Sequence, residues 1–156
     1  MSHQLVEVLD PDAFDLSVGI LQRTSAPKKV RKFLLESLEL DAETEIFTSN
    51  SARLTTGSVS FKSDVVMIRS ETADHFIVAQ VCLFASIHDF LFAIVSLWEL
   101  QDVSSGLGKA TWRMTERPSL IDLEDILCSV IWRESPPGIA DTLTPFLFRG
   151  LNAANL

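Results

Sequence analysis

The longest apolar stretch of the chain, FIVAQVCLFASIHDFLFAIVSLW from Phe76 to Trp98, is broken near its middle by His88-Asp89. An unbroken span of this length would cross a hydrocarbon layer of roughly 30 Å. A membrane-anchored protein held through residues 76–98 is therefore one reading of the chain. Against it, an Asp near the middle of such a span costs roughly 2.5 to 3.5 kcal/mol on insertion scales, and no cluster of Lys or Arg flanks either end. Folded back at His88-Asp89, the same residues become two strands rich in Val, Ile and Phe with the polar pair wetted at the turn. Strict alternation places Phe76, Val78, Cys82 and Phe84 on one face of the first strand and Ile77, Val81, Leu83 and Ile87 on the other. Both faces are apolar, so the hairpin is the predicted core, covered on two sides as in a barrel or a helix-capped sheet.

The flanking pattern is mostly β as well. Gln4 to Leu9 alternates enough for a short strand, which Asp10-Pro11-Asp12 ends. After Pro27, Val30, Phe33, Leu34 and Leu38 recur at helical spacing with charges on the opposite side. The basic residues of that helix come first and the acidic ones last, against its dipole. Ser58 to Phe61 and Val65 to Arg69 read as short strands around Lys62-Ser63-Asp64, and Glu71 to Asp74 as a polar turn. Asp102 to Gly108 reads as a loop and Ala110 to Met114 as a strand. Ser119 with Asp122 has the spacing of a capping box, which predicts a short helix over 122–127. Cys128 to Arg133 is the next strand, ended by Ser135-Pro136-Pro137-Gly138, and Leu143 to Arg149 a last edge strand, with Pro145 near its start.

These elements predict a mainly β fold: a small, partly open β-barrel built on the 76–100 hairpin, with a helical N-terminal segment and one short helix. The expected organisation is an N-terminal piece, 1–50, packing on a core of 51–150, followed by a tail, 151–156. With 156 residues, 47% of them hydrophobic and including 10 Phe and 3 Trp, the chain has ample surface to bury in one core. The net charge of -8 repels a phosphate backbone, so nucleic acid is expected only as a local contact at a basic cluster. Two cysteines, Cys82 and Cys128, are too few for a disulfide framework and lie in apolar runs, which predicts reduced, buried thiols. The first thirty residues carry Glu7, Asp10, Asp12 and Asp15 and no continuous apolar run, which predicts an intracellular protein.

Candidate chemistry is sparse. Gly106-Leu107-Gly108-Lys109 resembles a phosphate loop, but Val103 stands where the first Gly is needed and Ala110 where a Ser or Thr would bind magnesium. Ser86, His88 and Asp89 include the residue types of a hydrolase triad, yet Asp89 would point away from His88 along a strand. A small hydrolase using His88 or His75 with Ser86 or Cys82 remains an alternative that requires a pocket gathering them. No paired Cys or His ligands start a metal site, and no cofactor motif is present. Asp122, Glu124 and Asp125 read as carboxylates complementing a helix N-terminus.

Two features point toward recognition instead. Lys28, Lys29, Arg31 and Lys32, just after Pro27, form a nuclear-import candidate in which successive cationic side chains would enter acidic pockets of a carrier. Trp98, Trp112 and Trp132, with Glu99 nearby, are the candidate lining of an aromatic groove.

From Thr56 to Phe148 the order of elements resembles a bromo-adjacent homology (BAH)-like β-barrel. The residues that carry the likeness are Ser63-Asp64-Val65-Val66-Met67-Ile68, then Ile77-Val78-Ala79-Gln80-Val81, then Val95-Ser96-Leu97-Trp98-Glu99, with 122–127 and Ser129 to Trp132 as the closing element. The Arg-Pro pair usual in that family after the core strand is absent, since Leu100-Gln101 follows Trp98-Glu99. The segment is also similar to accessory domains encoded beside transposable elements. This resemblance implies a non-catalytic, chromatin-associated recognition module and transfers no catalytic residue. The expectation is thus an interaction module for a protein or peptide, bound through an aromatic groove or an exposed edge strand, with no membrane partner and the oligomeric state open.

Overall fold

The structure, a computed structural model, describes residues 17–70, 77–104 and 108–143. The elements run β1 (Gly19–Leu21), β2 (Thr24–Ser25), α1 (Lys28–Ser37), β3 (Ile46–Ser49), β4 (Ser51–Arg53), β5 (Val59–Phe61) and β6 (Val65–Ile68). After these come β7 (Ile77–Ile87), β8 (Phe90–Leu97), β9 (Glu99–Ser104), β10 (Lys109–Arg113) and β11 (Pro118–Asp122). A 3-10 turn (Leu123–Asp125) then leads into β12 (Ile126–Ser129), β13 (Ile131–Glu134) and β14 (Ile139–Leu143). The mainly β class is as expected, and the strands form three sheets that do not close into a barrel.

The hairpin predicted from 76–100 is the centre of the largest sheet. β7 pairs with β8 from Ile87↔Phe90 to Ala79↔Leu97, leaving His88 and Asp89 as an exposed two-residue turn. His88 takes φ 54°, the left-handed value that primed hairpin turns need at their first position. The 76–98 stretch is therefore not a rod, and among the described residues no helix is long and apolar enough to cross a membrane. On its other side β7 pairs with β3 in its second half and with β6 in its first half, while β11 extends the sheet beyond β8.

Strict alternation fails at one place along β7. The register with β8 slips between Val81 and Leu83, so Cys82 is an extra residue and everything after it changes face. Ala79, Val81 and Phe84 consequently share one core with Val66, Ile68, Ala93, Val95, Leu123 and Ile126, joined by Ala52 of the small sheet β1-β4-β5 and by Leu54, which follows β4. Leu83, Ala85 and Ile87 face the opposite side, where Ile46, Ile94, Phe92 and Leu34 of α1 cover them. Val81 and Leu83, expected on one face, are thus on opposite faces, and Val81 and Phe84, expected apart, pack together.

The side of the sheet that α1 covers over the second half of β7 is covered over the first half by a different body. The four-stranded sheet β13-β14-β10-β9 packs Ala110, Trp112 and Ala140, with Trp98 at the junction of β8 and β9, against Val65, Met67 and Val78. Its inward positions follow the pleat, with Trp132 and Ala110 in register with Thr142, and Trp112 with Ala140. The Trp112 indole N–H donates to the Thr142 hydroxyl at 2.9 Å in the interior.

Several local expectations are corrected. The helix predicted over 122–127 is a three-residue 3-10 turn, because Ser119 to Asp122 is taken up by pairing with β8 and Ile126 by pairing with Ile68 of β6. Asp122 still caps the turn, accepting from the Glu124 N–H at 3.1 Å, but Ser119 lies in β11 opposite Val95. The strand expected from Cys128 to Arg133 is split at Val130 between two sheets. Asp102 to Ser104, expected as loop, continue β9 because β10 pairs back on them. Of the segment 1–50, expected to pack on the core, the described part contains the predicted helix together with β1, which pairs with β4, and β2 and β3, joined to β7 through β3. The strand expected at Gln4 to Leu9, the turn at 71–74 and the edge strand beyond Leu143 fall outside the described residues.

Removing the hydroxyl in Thr142→Val leaves the Trp112 N–H buried and unbonded, which costs about 1 to 3 kcal/mol. Thermal unfolding should show the midpoint falling by roughly 2 to 4 °C per kcal/mol lost, whereas Thr111→Val on the outward face of the same sheet should shift it far less.

Candidate functional site

The free edge of the four-stranded sheet carries the most distinctive surface. β13 pairs with β14 on one side and with no other strand among the described residues. Register lays the outward side chains in two cross-strand rows: Ile131, Leu143 and Lys109 in one, Arg133, Asp141 and Thr111 in the other. Ile131 is 74% exposed and Leu143 46%, an unusual cost for two branched aliphatics side by side. Together with Lys109, Arg133, Asp141 and Trp132 they line a cavity of about 330 Å³.

Asp141 is the charged centre of this surface. It accepts from the Thr111 hydroxyl at 2.9 Å and lies 3.5 Å from Lys109 Nζ and 3.9 Å from Arg133 Nε. Two cations around one half-buried carboxylate leave the cavity with a net positive charge on an otherwise acidic protein. Exposed ion pairs of this kind contribute about 0 to 1 kcal/mol to stability, so their placement matters more for a ligand than for the fold. Extended main chain on an edge unpaired among the described residues, two apolar contacts and a net cation can seat an extended segment that carries an apolar and an acidic residue.

The three tryptophans do converge, but inside. Trp98 is 5% exposed and Trp112 is fully buried. Trp132 packs edge-on against Trp98 with ring centroids 5.5 Å apart, and it alone of the three reaches the cavity at the sheet edge. Glu99 pairs in register with Arg113, the outward neighbour of inward-facing Trp112, and is bound to Arg113 and, at 3.6 Å, to Arg117. An aromatic groove of Trp98, Trp112 and Trp132 with Glu99 is therefore not what this face presents; its ligand-facing residues are Ile131, Leu143, Lys109, Arg133 and Asp141 with Trp132. In sequence only the apolar outward positions Ile131 and Leu143 signalled it, and only once the sheet assignment was known.

The basic cluster occupies the first turns of α1. Arg31 is committed to the loop that follows, donating to the carbonyls of Thr44 at 2.6 Å and Ala42 at 2.5 Å, while Lys28, Lys29 and Lys32 are exposed. On a helix successive side chains diverge by about 100°, so a carrier reading them in sequence would require α1 to unwind.

Of the hydrolase candidates, His75 lies outside the described residues. Ser86 is buried in strand register with Phe47 and Leu91, His88 and Asp89 are exposed at the turn, and no hydrogen bond joins the three. His88 instead borders an apolar hollow formed with Leu38, Leu40, Ile87, Phe90 and Phe92. Among the described residues no group of three His, Cys, Asp or Glu could hold a metal ion.

No family model, curated protein or solved structure matches the chain.

Both cysteines are free, but their surroundings differ. The bulge leaves Cys82 exposed, contrary to the buried thiol expected, with its Sγ 3.6 Å from the Ser96 hydroxyl. Cys128 is half-buried beside the tryptophan core, and burial pushes its thiol above the ordinary value. Alkylation with iodoacetamide should therefore show two phases, with Cys82 modified first. Cys82→Ser should abolish the fast phase, and the slow phase should accelerate only as the pH climbs past the ordinary thiol range, since the thiolate is the reacting form.

Proposed function

We propose that the protein is a non-catalytic interaction module that binds an extended peptide segment along the free edge of β13. The observation that carries this reading is the pair of exposed aliphatics, Ile131 of β13 and Leu143 of β14, beside Arg133, Lys109 and Asp141 on a sheet whose outer strand β13 has one edge unpaired among the described residues. Strand addition supplies main-chain hydrogen bonds, and alternate side chains of the ligand meet the two rows described above. The apolar row favours a branched or aromatic residue, and the charged row favours an Asp or Glu opposite Arg133 and Lys109. The likeness to bromo-adjacent homology domains, itself a family of recognition modules, agrees with this function, and chromatin association is the setting that likeness suggests. Nuclear import through Lys28, Lys29, Arg31 and Lys32 belongs to the same setting.

Selection from a displayed library of random peptides tests the proposal. It should enrich extended peptides in which an apolar residue and an acidic residue stand two positions apart. Ile131→Asp should weaken their binding at least tenfold, because a buried aliphatic side chain contributes about 1.5 to 3 kcal/mol. Methylating alternate backbone nitrogens of a selected peptide should abolish binding. Peptides that bind Ile131→Asp as tightly as the natural protein, or a selection that enriches nothing, would show the edge is not a recognition surface.

A further inference from the structure

The bulge that redirects β7 also leaves a gap on the sheet. The face covered by α1 over the second half of the hairpin and by the four-stranded sheet over the first half is covered by neither at Cys82. Here a cavity of about 500 Å³ opens between α1 and the sheet. Its floor and walls are Val30 and Phe33 of α1, Leu83 and Ile94 of the hairpin, and Pro118, an apolar lining of the size and character of small-molecule sites.

The charged groups described around this cavity carry one sign, and the remaining polar side chain there is the neutral Asn50. Lys29 of α1 and Lys62 of the turn after β5 both line it, and among the described residues no carboxylate does. Neither lysine forms an ion pair with any described residue, although the chain has 21 Asp and Glu against 13 Lys and Arg. The N-terminus of the ten-residue helix α1 borders the same space through Pro27, Lys29 and Val30. That helix end has no side-chain cap and no acidic residue in its first turn, so its own residues do nothing to compensate the positive pole of its dipole. Lysines at this end are unfavourable for the helix alone and become favourable once an anion sits there.

We propose that this cavity binds a single-chain amphiphile with a carboxylate head, its tail laid over Phe33, Leu83 and Ile94 and its head held between Lys29, Lys62 and the α1 N-terminus. An apolar lining by itself would accept any hydrophobe. The two unpaired lysines and the uncapped helix end select the anionic head, and a cationic amphiphile of equal length is repelled. The site is separate from the β13 edge, so its test does not depend on the peptide-binding reading.

Cys82 lies in the cavity and serves as the reporter. Alkylation of Cys82 by iodoacetamide, a neutral reagent, is followed in the full chain with dodecanoate or dodecyltrimethylammonium added below their micellar concentrations, and circular dichroism confirms that the fold persists. Dodecanoate should slow the alkylation in a saturable manner and the ammonium amphiphile should not. In the double variant Lys29→Gln/Lys62→Gln, whose changes lie at exposed side chains, the dodecanoate concentration for half-protection should rise at least tenfold. Equal protection by the two amphiphiles, protection that survives the double variant, or no protection by dodecanoate would each overturn the proposal.

Discussion

A single inserted residue in β7 governs how this molecule is covered. Cys82 shifts the pleat by one position, so the apolar positions before and after it do not form one continuous face. Ala79, Val81 and Phe84 thereby line an uninterrupted core on one side, while the other side is divided into a sector sealed by α1 and a sector sealed by the tryptophan-bearing sheet. Were Cys82 taken into the pleat with no slip against β8, Phe84 would turn toward the helix and Leu83 and Ile87 toward the core of Ala93 and Val95. Large side chains would then meet small ones in the wrong layers, and interiors packed at crystal density do not absorb such exchanges.

Both surfaces assigned a role follow from that division. Sealing the first half of the hairpin requires Trp98, Trp112 and Trp132 to turn inward, which sends the intervening residues of β10, β13 and β14 to the solvent side. Those residues form the rows of Ile131, Leu143, Lys109, Arg133 and Asp141. The junction between the two covers leaves the opening at Cys82 with its lysines. The tryptophans that suggest an aromatic recognition surface are thus the packing that presents a different one on the far side of their sheet.

What was legible in the chain was local. The central hairpin followed from one polar pair in an apolar run, α1 from the spacing of Val30, Phe33, Leu34 and Leu38, and the strands around Lys62-Ser63-Asp64 from their β-branched residues. The bulge was not legible, since VAQVCLFASI alternates about as well with Cys82 in the pleat as without it, and only pairing with Ile94 and Val95 reveals the slip. The helix expected at 122–127 failed for a related reason: a capping pattern competes with strand partners, and β8 and β6 offer their edges to both flanks of the turn. The candidate site was hidden because inward and outward residues of β13 and β14 can be told apart only when their sheet has a face to pack on.

The most direct test is deletion of Cys82, compared with Cys82→Ser, in equilibrium urea unfolding. Cys82→Ser keeps the extra residue and should unfold cooperatively at close to the native midpoint. The deletion should also keep a cooperative transition, because it joins Val81 to Leu83, whose partners Val95 and Ile94 are already consecutive, so every later residue keeps its face. A deletion variant that loses its cooperative transition would contradict a bulge at this position, since Cys82 would then have to be a paired member of the pleat.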